Sequence, residues 1–228
     1  MEKVTKEPMN PGQPLRFSVI RVPFFLEPDY PQDPEFEETN RVRLIRKWGG
    51  EAGWEVQKQR HRLKERGQEV GIEHFNLDRV ASNTMDSHRV VQWVTKTRGP
   101  SAAEALYDLL NQRHFVEGRK LNDHVMLADA ACEAAGVNKT ETLAFLRSGE
   151  GLANIQAAMR LLGAMGVHSI PTFIVDGRFR VDGAARSDEF VSLFRKIERE
   201  GRVEGGMVFG DALEVPKEVV HQGLNVAA

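Results

Sequence analysis

Hydrophobic and polar residues follow two different periods along the chain. Near the start, residues 15–26 (LRFSVIRVPFFL) are rich in β-branched and aromatic side chains, which predicts a strand whose Pro23 lies at an edge or a bulge. From residue 33 to residue 162 the apolar positions recur every three or four residues, which predicts helices. A β-branched run returns at residues 172–175 and predicts a buried strand. This order indicates an α/β fold with an inserted block of helices.

Each predicted helix has start or stop signals of its own, chiefly Asn, Asp or Ser before it and Gly after it. The predicted helices run from Asp33 and Pro34 to Trp48, over residues 54–70 as a charged exposed helix, from Ser82 or Asn83 to Arg98, from the capping box Ser101–Glu104 onward, from Asn122 or Asp123 to Gly136, over residues 140–147, and over residues 152–162 with Gly166 as the stop.

The C-terminal part begins with a hairpin signal. Asp176-Gly177 is a favoured two-residue turn, and it joins residues 172–175 to residues 179–181. Ser187 is placed to cap a last helix that carries four apolar residues on one face: Phe190, Leu193, Phe194 and Ile197. The glycine-rich tail that follows has weak patterning and is expected to be an appendage.

Composition and charge limit the classes of partner. The net charge of −2 gives no electrostatic basis for binding nucleic acid or an anionic membrane, and no apolar run reaches the roughly 18 residues of a membrane span. Cys132 is the single cysteine, so an intrachain disulfide and a cysteine-based metal site are excluded. The histidines fall in no zinc-binding frame, so no metal is expected. A reducing, cytoplasmic location follows as the default.

The stretch from Gly166 to Gly177 (GVHSIPTFIVDG) raises a specific question, because a proline directly precedes the strand. An X-Pro bond adopts the cis form at a cost of about 0.5–1 kcal/mol. A cis bond would turn the backbone of Ile170 outward, where it could pair with an extended peptide or a thiol ligand. Alternatively, Pro171 starts the strand in the trans form, where its missing N–H costs nothing. The local sequence leaves both open.

Several short motifs in one order resemble the DsbA-like thioredoxin-fold proteins. The GV–x–x–IPTF stretch, the hairpin and the last helix resemble the C-terminal half of that family. Its FrnE-type branch, next to the 2-hydroxychromene-2-carboxylate isomerases and the kappa-class glutathione transferases, is the most similar. The other motifs are VPFFLEP at residues 22–28, SNTMDSHR at residues 82–89, FVEGR at residues 115–119 and LND at residues 121–123.

The resemblance implies a thioredoxin-like fold with a helical insertion domain, and a cis Pro171 facing the active site. It also implies that Asn83 and His88 face the site, although Asn83 is more simply an N-cap and His88 a packed histidine. Together with Ile170 and Ser187, these residues form the expected substrate-binding set for a peptide or small thiol ligand. Glutathione is a candidate ligand, but Ala185 stands where the glutathione-using relatives carry an aspartate.

The family's reacting group is not in this sequence. Relatives carry a Cys-x-x-Cys, or a serine-containing turn, after a first strand that precedes the one resembling residues 15–26. The expectation is therefore a protein of the thiol–disulfide oxidoreductase family that is redox-inactive as printed. The alternatives are a non-catalytic peptide- or glutathione-binding protein, and a glutathione-dependent isomerase or transferase. Cys132, in the middle of an alanine-rich helix, is expected to pack as a small hydrophobe without catalytic function.

In the family the first strand is central, so its absence would leave two rows of backbone groups unpaired. A partner or second copy could donate a strand, residues 15–26 could shift into the gap, or the sequence could be an incomplete product. A homodimer therefore stays open. The expected layout is a disordered lead-in at residues 1–14, a thioredoxin-like part at 15–80, a helical insertion at 81–165, a second thioredoxin-like part at 166–201, and the appendage at 202–228.

Overall fold

The computed structural model describes residues 1–33, 35–72, 74–203 and 205–221, and within them the chain is mainly helical. The helices are α1 (Glu2–Lys6), α2 (Asn40–Lys47), α3 (Glu51–His61), α4 (Leu63–Glu69), α5 (Met85–Arg98), α6 (Pro100–Asn111), a π-helix (Gln112–Val116), α7 (His124–Ala135), α8 (Lys139–Arg147), α9 (Leu152–Ala164), α10 (Ser187–Glu200) and α11 (Lys217–Val220). The strands are β1 (Glu38–Thr39), β2 (Val80–Ala81), β3 (Thr172–Val175) and β4 (Phe179–Asp182). None of these helices has the length and apolar character to span a membrane.

The chain divides into two compact units. The first consists of Met1–Leu26, Gln92–Ala103 and Glu150–Ala228, and the second of Glu27–Val91 and Glu104–Gly149. This division differs from the expected layout, in which residues 15–80 belong with the C-terminal hairpin. Residues 27–80 group with the central helices instead, because β1 pairs with β2 in an antiparallel ladder that matches Thr39 with Val80.

The first unit is organised around an apolar core that includes the C-terminal segment. Phe209, Leu213, Val215 and Val219 are at most 8% exposed and pack with Leu162 of α9 in one cluster. The description of residues 202–228 as an appendage was therefore wrong for the part of the tail that the structure describes. Burying four large apolar side chains outweighs weak local patterning.

The predicted hairpin is confirmed. Strands β3 and β4 pair antiparallel, and Asp176 and Gly177 both have positive φ (53° and 62°), as a type I′ turn requires. Strand β3 is less buried than predicted, since Phe173 is 40% exposed. The last helix is confirmed as α10, with Phe194 and Ile197 buried.

The predicted strand over residues 15–26 does not form. Within the described part of the chain each ladder has two strands, β1 with β2 and β3 with β4, and neither includes these residues. Ile20, Val22 and Phe24 nevertheless pack on the core cluster at every second position, as the side chains of a strand would. The residues have the composition of a strand, but a strand also needs a hydrogen-bonded neighbour, which residue composition cannot supply.

In the second unit, α2 begins at Asn40, six residues after the predicted first helical position. Residues 38–39 pair as β1, and Thr39 then caps the helix by accepting the Val42 N–H at 3.3 Å. The predicted first helical position, Pro34, lies outside the described residues. The helix predicted over residues 54–70 is broken into α3 and α4 by Arg62, whose φ is 46°.

The central helices follow their sequence signals more closely. Asp123 caps α7 by accepting the N–H groups of Val125 and Met126, and Gly136 ends it in the left-handed conformation. Cys132 on α7 is exposed, so the expectation that it packs as a buried hydrophobe was wrong. At the other end of the chain, residues 1–14 are not irregular throughout: α1 buries Val4 to 1% exposure.

Candidate functional site

The first candidate region is the exposed loop that leads into β3. Residues 168–171 are all exposed, and Ile170 is 50% exposed although its side chain is apolar. The Ile170–Pro171 peptide bond is cis, the form that the sequence resemblance favoured. The structure thus presents an apolar side chain and its backbone to solvent at the head of a strand.

The loop is held in place by polar contacts with β4. Arg180 donates to the carbonyl oxygens of Met165 (2.9 Å) and Gly166 (3.2 Å), and it also contacts the Asp182 carboxylate. Thr172 Oγ1 lies 2.9 Å from both Ser169 O and Asp182 Oδ1. The hydrogen bond from Arg180, followed by that from Thr172, lowers the pKa of Asp182 below its ordinary value. The loop is therefore anchored to the hairpin rather than loose.

The direction of the backbone groups of β3 follows from one hydrogen bond. Gly183 N–H donates to Pro171 O at 2.8 Å, so Pro171 faces β4. Because successive residues of a strand point their N–H and C=O to opposite sides, Phe173 and Val175 also face β4, while Thr172 and Ile174 face away. Among the described residues no strand pairs with β3 on that second side. We call the backbone groups of Thr172 and Ile174 the open edge of β3.

Residues 20–24 of the same unit are similarly without a ladder. The side chain of Ile174 and those of Ile20, Val22 and Phe24 pack on the same apolar cluster. In this segment Arg21 O accepts a hydrogen bond from the Gln92 side chain at 2.7 Å. Neither described ladder includes residues 20–24, so the segment has not shifted into a pairing with β3, which removes one of the three ways of filling the expected gap.

Ser187 is the first residue of α10 and is exposed, but it does not cap the helix. The cap position is Arg186, whose N–H donates to the Glu189 carboxylate at 3.2 Å. The prediction of Ser187 as the cap was wrong because Glu189, three residues after Arg186, provides the capping-box acceptor one position earlier than expected. Its assignment to a ligand site remains a prediction.

Asn83 lies in the second unit and is 5% exposed. Its Oδ1 accepts the Met85 N–H at 2.8 Å, and its Nδ2 donates to Tyr30 O at 2.7 Å. Because α5 begins at Met85 and Thr84 O accepts the N–H of His88, Thr84 holds the cap position, and Asn83, the predicted cap, contacts the helix start from one residue before it. Both polar atoms of the side chain have partners inside the protein, so a ligand is not needed to explain its burial.

His88 is half-buried on α5, directly before a residue with a clear structural task. Arg89 is 3% exposed and donates to the Asp86 carboxylate (2.8 Å) and to three carbonyl oxygens at the end of α8. Those carbonyls belong to Phe145 (3.0 Å), Leu146 (3.1 Å) and Ser148 (2.7 Å). The two residues of the histidine–arginine motif therefore differ. Arg89 links α5 to the end of α8 through hydrogen bonds, and His88 is a half-buried histidine whose ligand role remains a prediction.

The predicted set is divided between the two units. Ile170, Pro171 and Ser187 belong to the first, whereas Asn83 and His88 belong to the second. Thr172 and Ile174 were not among the site residues predicted from the sequence. A signal for them existed, because a turn centred on Asp176-Gly177 fixes which residues of the preceding strand face its partner. Among the described residues, no group of three or more His, Cys, Asp or Glu is placed to hold a metal ion.

Comparisons with known proteins identify the family. Residues 20–195 match the DSBA-like thioredoxin domain. The structure is similar to that of a probable DsbA oxidoreductase from Streptomyces coelicolor, with a TM-score of 0.65 and 23% sequence identity over 81% of this chain and 76% of the other. No curated protein matches the sequence. The fold is α/β and thioredoxin-like with a helical insertion, and the chain belongs to the DSBA-like thioredoxin domain family.

Proposed function

We propose that the domain formed by these residues binds an extended peptide segment as an additional strand on the open edge of β3, without itself carrying out thiol–disulfide exchange. The observation that carries the proposal is the backbone of Thr172 and Ile174, which faces away from β4 and has no strand beside it in the part of the chain that the structure describes. An exposed strand edge recognises a peptide through its main chain and gains specificity from alternate side chains.

The surroundings of the edge support a peptide ligand. The edge begins at the exposed Ile170–Pro171 loop, which Arg180 and Thr172 anchor, so the binding geometry is largely formed in advance. Ile170 and Phe173 are 50% and 40% exposed and could contact apolar side chains of the ligand. A bound strand would cover these groups and complete the hydrogen bonds of Thr172 and Ile174.

The non-redox part of the proposal rests on cysteine content and placement. A dithiol mechanism needs two cysteines, and these 228 residues contain Cys132 alone. That residue is exposed on α7 in the second unit, whereas β3 belongs to the first. We expect no catalysis of disulfide reduction by this chain, and we expect Cys132→Ser to leave peptide binding unchanged.

A matched pair of variants tests the binding proposal. Ile174→Pro removes a donor on the open edge and shortens the apolar side chain, and Ile174→Ala shortens the side chain while keeping the N–H. Titration calorimetry with a soluble peptide of alternating threonine and valine, flanked by lysine, should give a Kd about five- to tenfold weaker for Ile174→Pro than for Ile174→Ala, because one hydrogen bond is lost. Equal affinities, or no binding to the unsubstituted protein, would contradict the proposal. Circular dichroism shows whether both variants keep their helices.

Two further experiments distinguish the candidates for the natural ligand. Sedimentation that shows a dimer which excess peptide dissociates would make a second copy of this chain the natural donor. Binding of glutathione that the threonine–valine peptide displaces would favour the small thiol ligand that the family resemblance implies.

A further inference from the structure

A second region with unused binding capacity lies in the other unit, around Arg79. The guanidinium of Arg79 is half-buried and is held on three sides. Its Nε donates to His114 Nε2 at 3.1 Å, its Nη1 donates to Asn76 O at 3.0 Å, and its Cζ lies 4.7 Å from the centre of the Phe115 ring. These contacts fix the plane of the guanidinium.

None of these partners carries a negative charge. Among the described residues no carboxylate lies within ion-pair distance of Arg79, and the charged group that acts on it is Arg43, which repels it. Arg43 itself is neutralised by the Glu27 carboxylate. Other arginines of the same unit are paired: Arg41 contacts Asp78 at 2.6 Å and Arg46 contacts Glu38 at 2.7 Å.

Not all of the N–H groups of Arg79 are used by the contacts described above. A guanidinium has five N–H donors, and the two contacts above use one on Nε and one on Nη1, so three have no acceptor among the described residues. Both N–H groups of Nη2 are among these three. A planar pair of nitrogens with unused donors matches the oxygens of a carboxylate or a phosphate group.

His114 cannot balance the charge. Its Nδ1 lies 2.8 Å from Arg119 O, an acceptor, so Nδ1 carries the proton and Nε2 is left to accept from Arg79. Burial, and to a smaller extent the charges of Arg79 and Arg43, lower the pKa of His114 to about 4. At neutral pH the imidazole is therefore a neutral acceptor that orients the guanidinium.

The local backbone organises this cluster. His114 and Phe115 both lie in the π-helix Gln112–Val116, a rare geometry that is frequent at functional sites. Phe115 O accepts the N–H of Asn76 at 2.7 Å, and Arg79 O accepts the N–H of Asn40 at 2.8 Å. The loop that carries Arg79 is thus fastened at both ends, and the guanidinium is positioned before any ligand arrives.

We propose that Arg79 binds a small oxyanion, namely the carboxylate or phosphate group of a ligand. This proposal is independent of the peptide binding proposed for β3 in the first unit. A partly buried charge without a partner is costly, and proteins usually pair it. Burial also lowers the pKa of Arg79 to about 10, which leaves the group fully charged at neutral pH. An oxyanion supplies a negative charge beside Arg79 and accepts hydrogen bonds from its unused N–H groups.

The test uses inorganic phosphate and acetate as separate probes, each titrated against chloride at constant ionic strength. The His114 ring resonances report occupancy, because an anion on Arg79 removes a positive charge beside the imidazole and should raise the pKa of His114. Saturable shifts with either probe are the expected result, and tighter binding of phosphate than of acetate would indicate a phosphate ligand. If neither probe moves the His114 signals beyond the effect of chloride, the proposal is wrong.

A variant pair separates a site from general charge. Arg79→Gln should weaken the anion Kd about tenfold or more, whereas Arg41→Gln, which removes an exposed arginine of the same unit, should change it less than about twofold. Equal effects of the two substitutions would overturn the assignment. Should Arg79→Gln fail to fold, Arg79→Lys keeps the charge but loses the planar fork, and the titration of the unsubstituted protein still decides the question.

Discussion

The end of helix α8 and the edge of strand β3 are both places where backbone groups lack their regular partners, and the chain treats them in opposite ways. At α8, three carbonyl oxygens are taken up by the buried guanidinium of Arg89. At β3, Thr172 and Ile174 face away from β4, and no described strand lies beside them. The contrast shows that this chain completes one such element internally and leaves the other open among the described residues, which is the edge on which the proposed peptide would bind.

The same contrast separates two arginines of the second unit. Arg89 and Arg79 each stack on a phenylalanine, with Cζ 5.0 Å and 4.7 Å from the ring centres. Arg89 also has a carboxylate, that of Asp86, whereas Arg79 has a neutral histidine. The first is a finished structural contact, and the second has capacity for an external anion.

The largest expected effect on stability comes from removing the contacts of Arg89 with Asp86 and with the end of α8. Arg89→Met should lower the free energy of unfolding by about 3–5 kcal/mol, because it removes the buried guanidinium that three carbonyl oxygens share and leaves His124 as the remaining described partner of the Asp86 carboxylate. Denaturant unfolding measures the change. Arg186→Met is the control, since its pair with Asp188 is exposed and should contribute less than about 1 kcal/mol. A decrease of less than about 1 kcal/mol in the free energy of unfolding for Arg89→Met would contradict the stabilising role of Arg89.

A pH titration sharpens the description of the Arg79 cluster. The pKa of His114 is about 4 in the folded protein, below its ordinary value of 6.5, so the unfolded chain binds the proton first as the pH falls. The contribution to stability is complete above pH 6.5 and is lost as the pH falls towards 4. It amounts to about 3 kcal/mol. Ring resonances of His114 that titrate near 6.5 in the folded protein would contradict this account.

Local signals in the sequence were sufficient for much of the fold. The cap at Asp123, the stop at Gly136 and the turn at Asp176-Gly177 are formed by residues close together in the chain, and all three are confirmed. The predicted helix over residues 54–70 shows the limit of such signals, since nothing in the composition marks Arg62 as the residue that breaks it.

Long-range pairing explains most of the remaining differences. The strand predicted over residues 15–26 has suitable side chains but no partner in the described chain. Arg89 contacts carbonyls 56 to 59 residues away, and Arg79 contacts a histidine 35 residues away. Burial of the C-terminal segment likewise depends on α9. Hydrophobic periodicity carries no information about which distant groups meet.

For the candidate site, the sequence drew attention to Ile170 and Pro171 but not to the strand residues beside them. The family resemblance emphasised the loop, whereas the structure adds the open edge of Thr172 and Ile174. It also divides the predicted site residues between two units. Residue types alone could not reveal that division, because it depends on which segments fold together.

Residue-resolved amide hydrogen exchange of β3 tests the central claim most directly. In the free protein the amide of Phe173, which faces β4, should be protected, and that of Ile174 should exchange fast because no described strand pairs with it. Addition of the alternating threonine–valine peptide should slow exchange at Ile174 and leave Phe173 unchanged. An Ile174 amide that is already protected in the free protein, or that the peptide leaves unchanged at saturation, would contradict the assignment of this edge as a binding site.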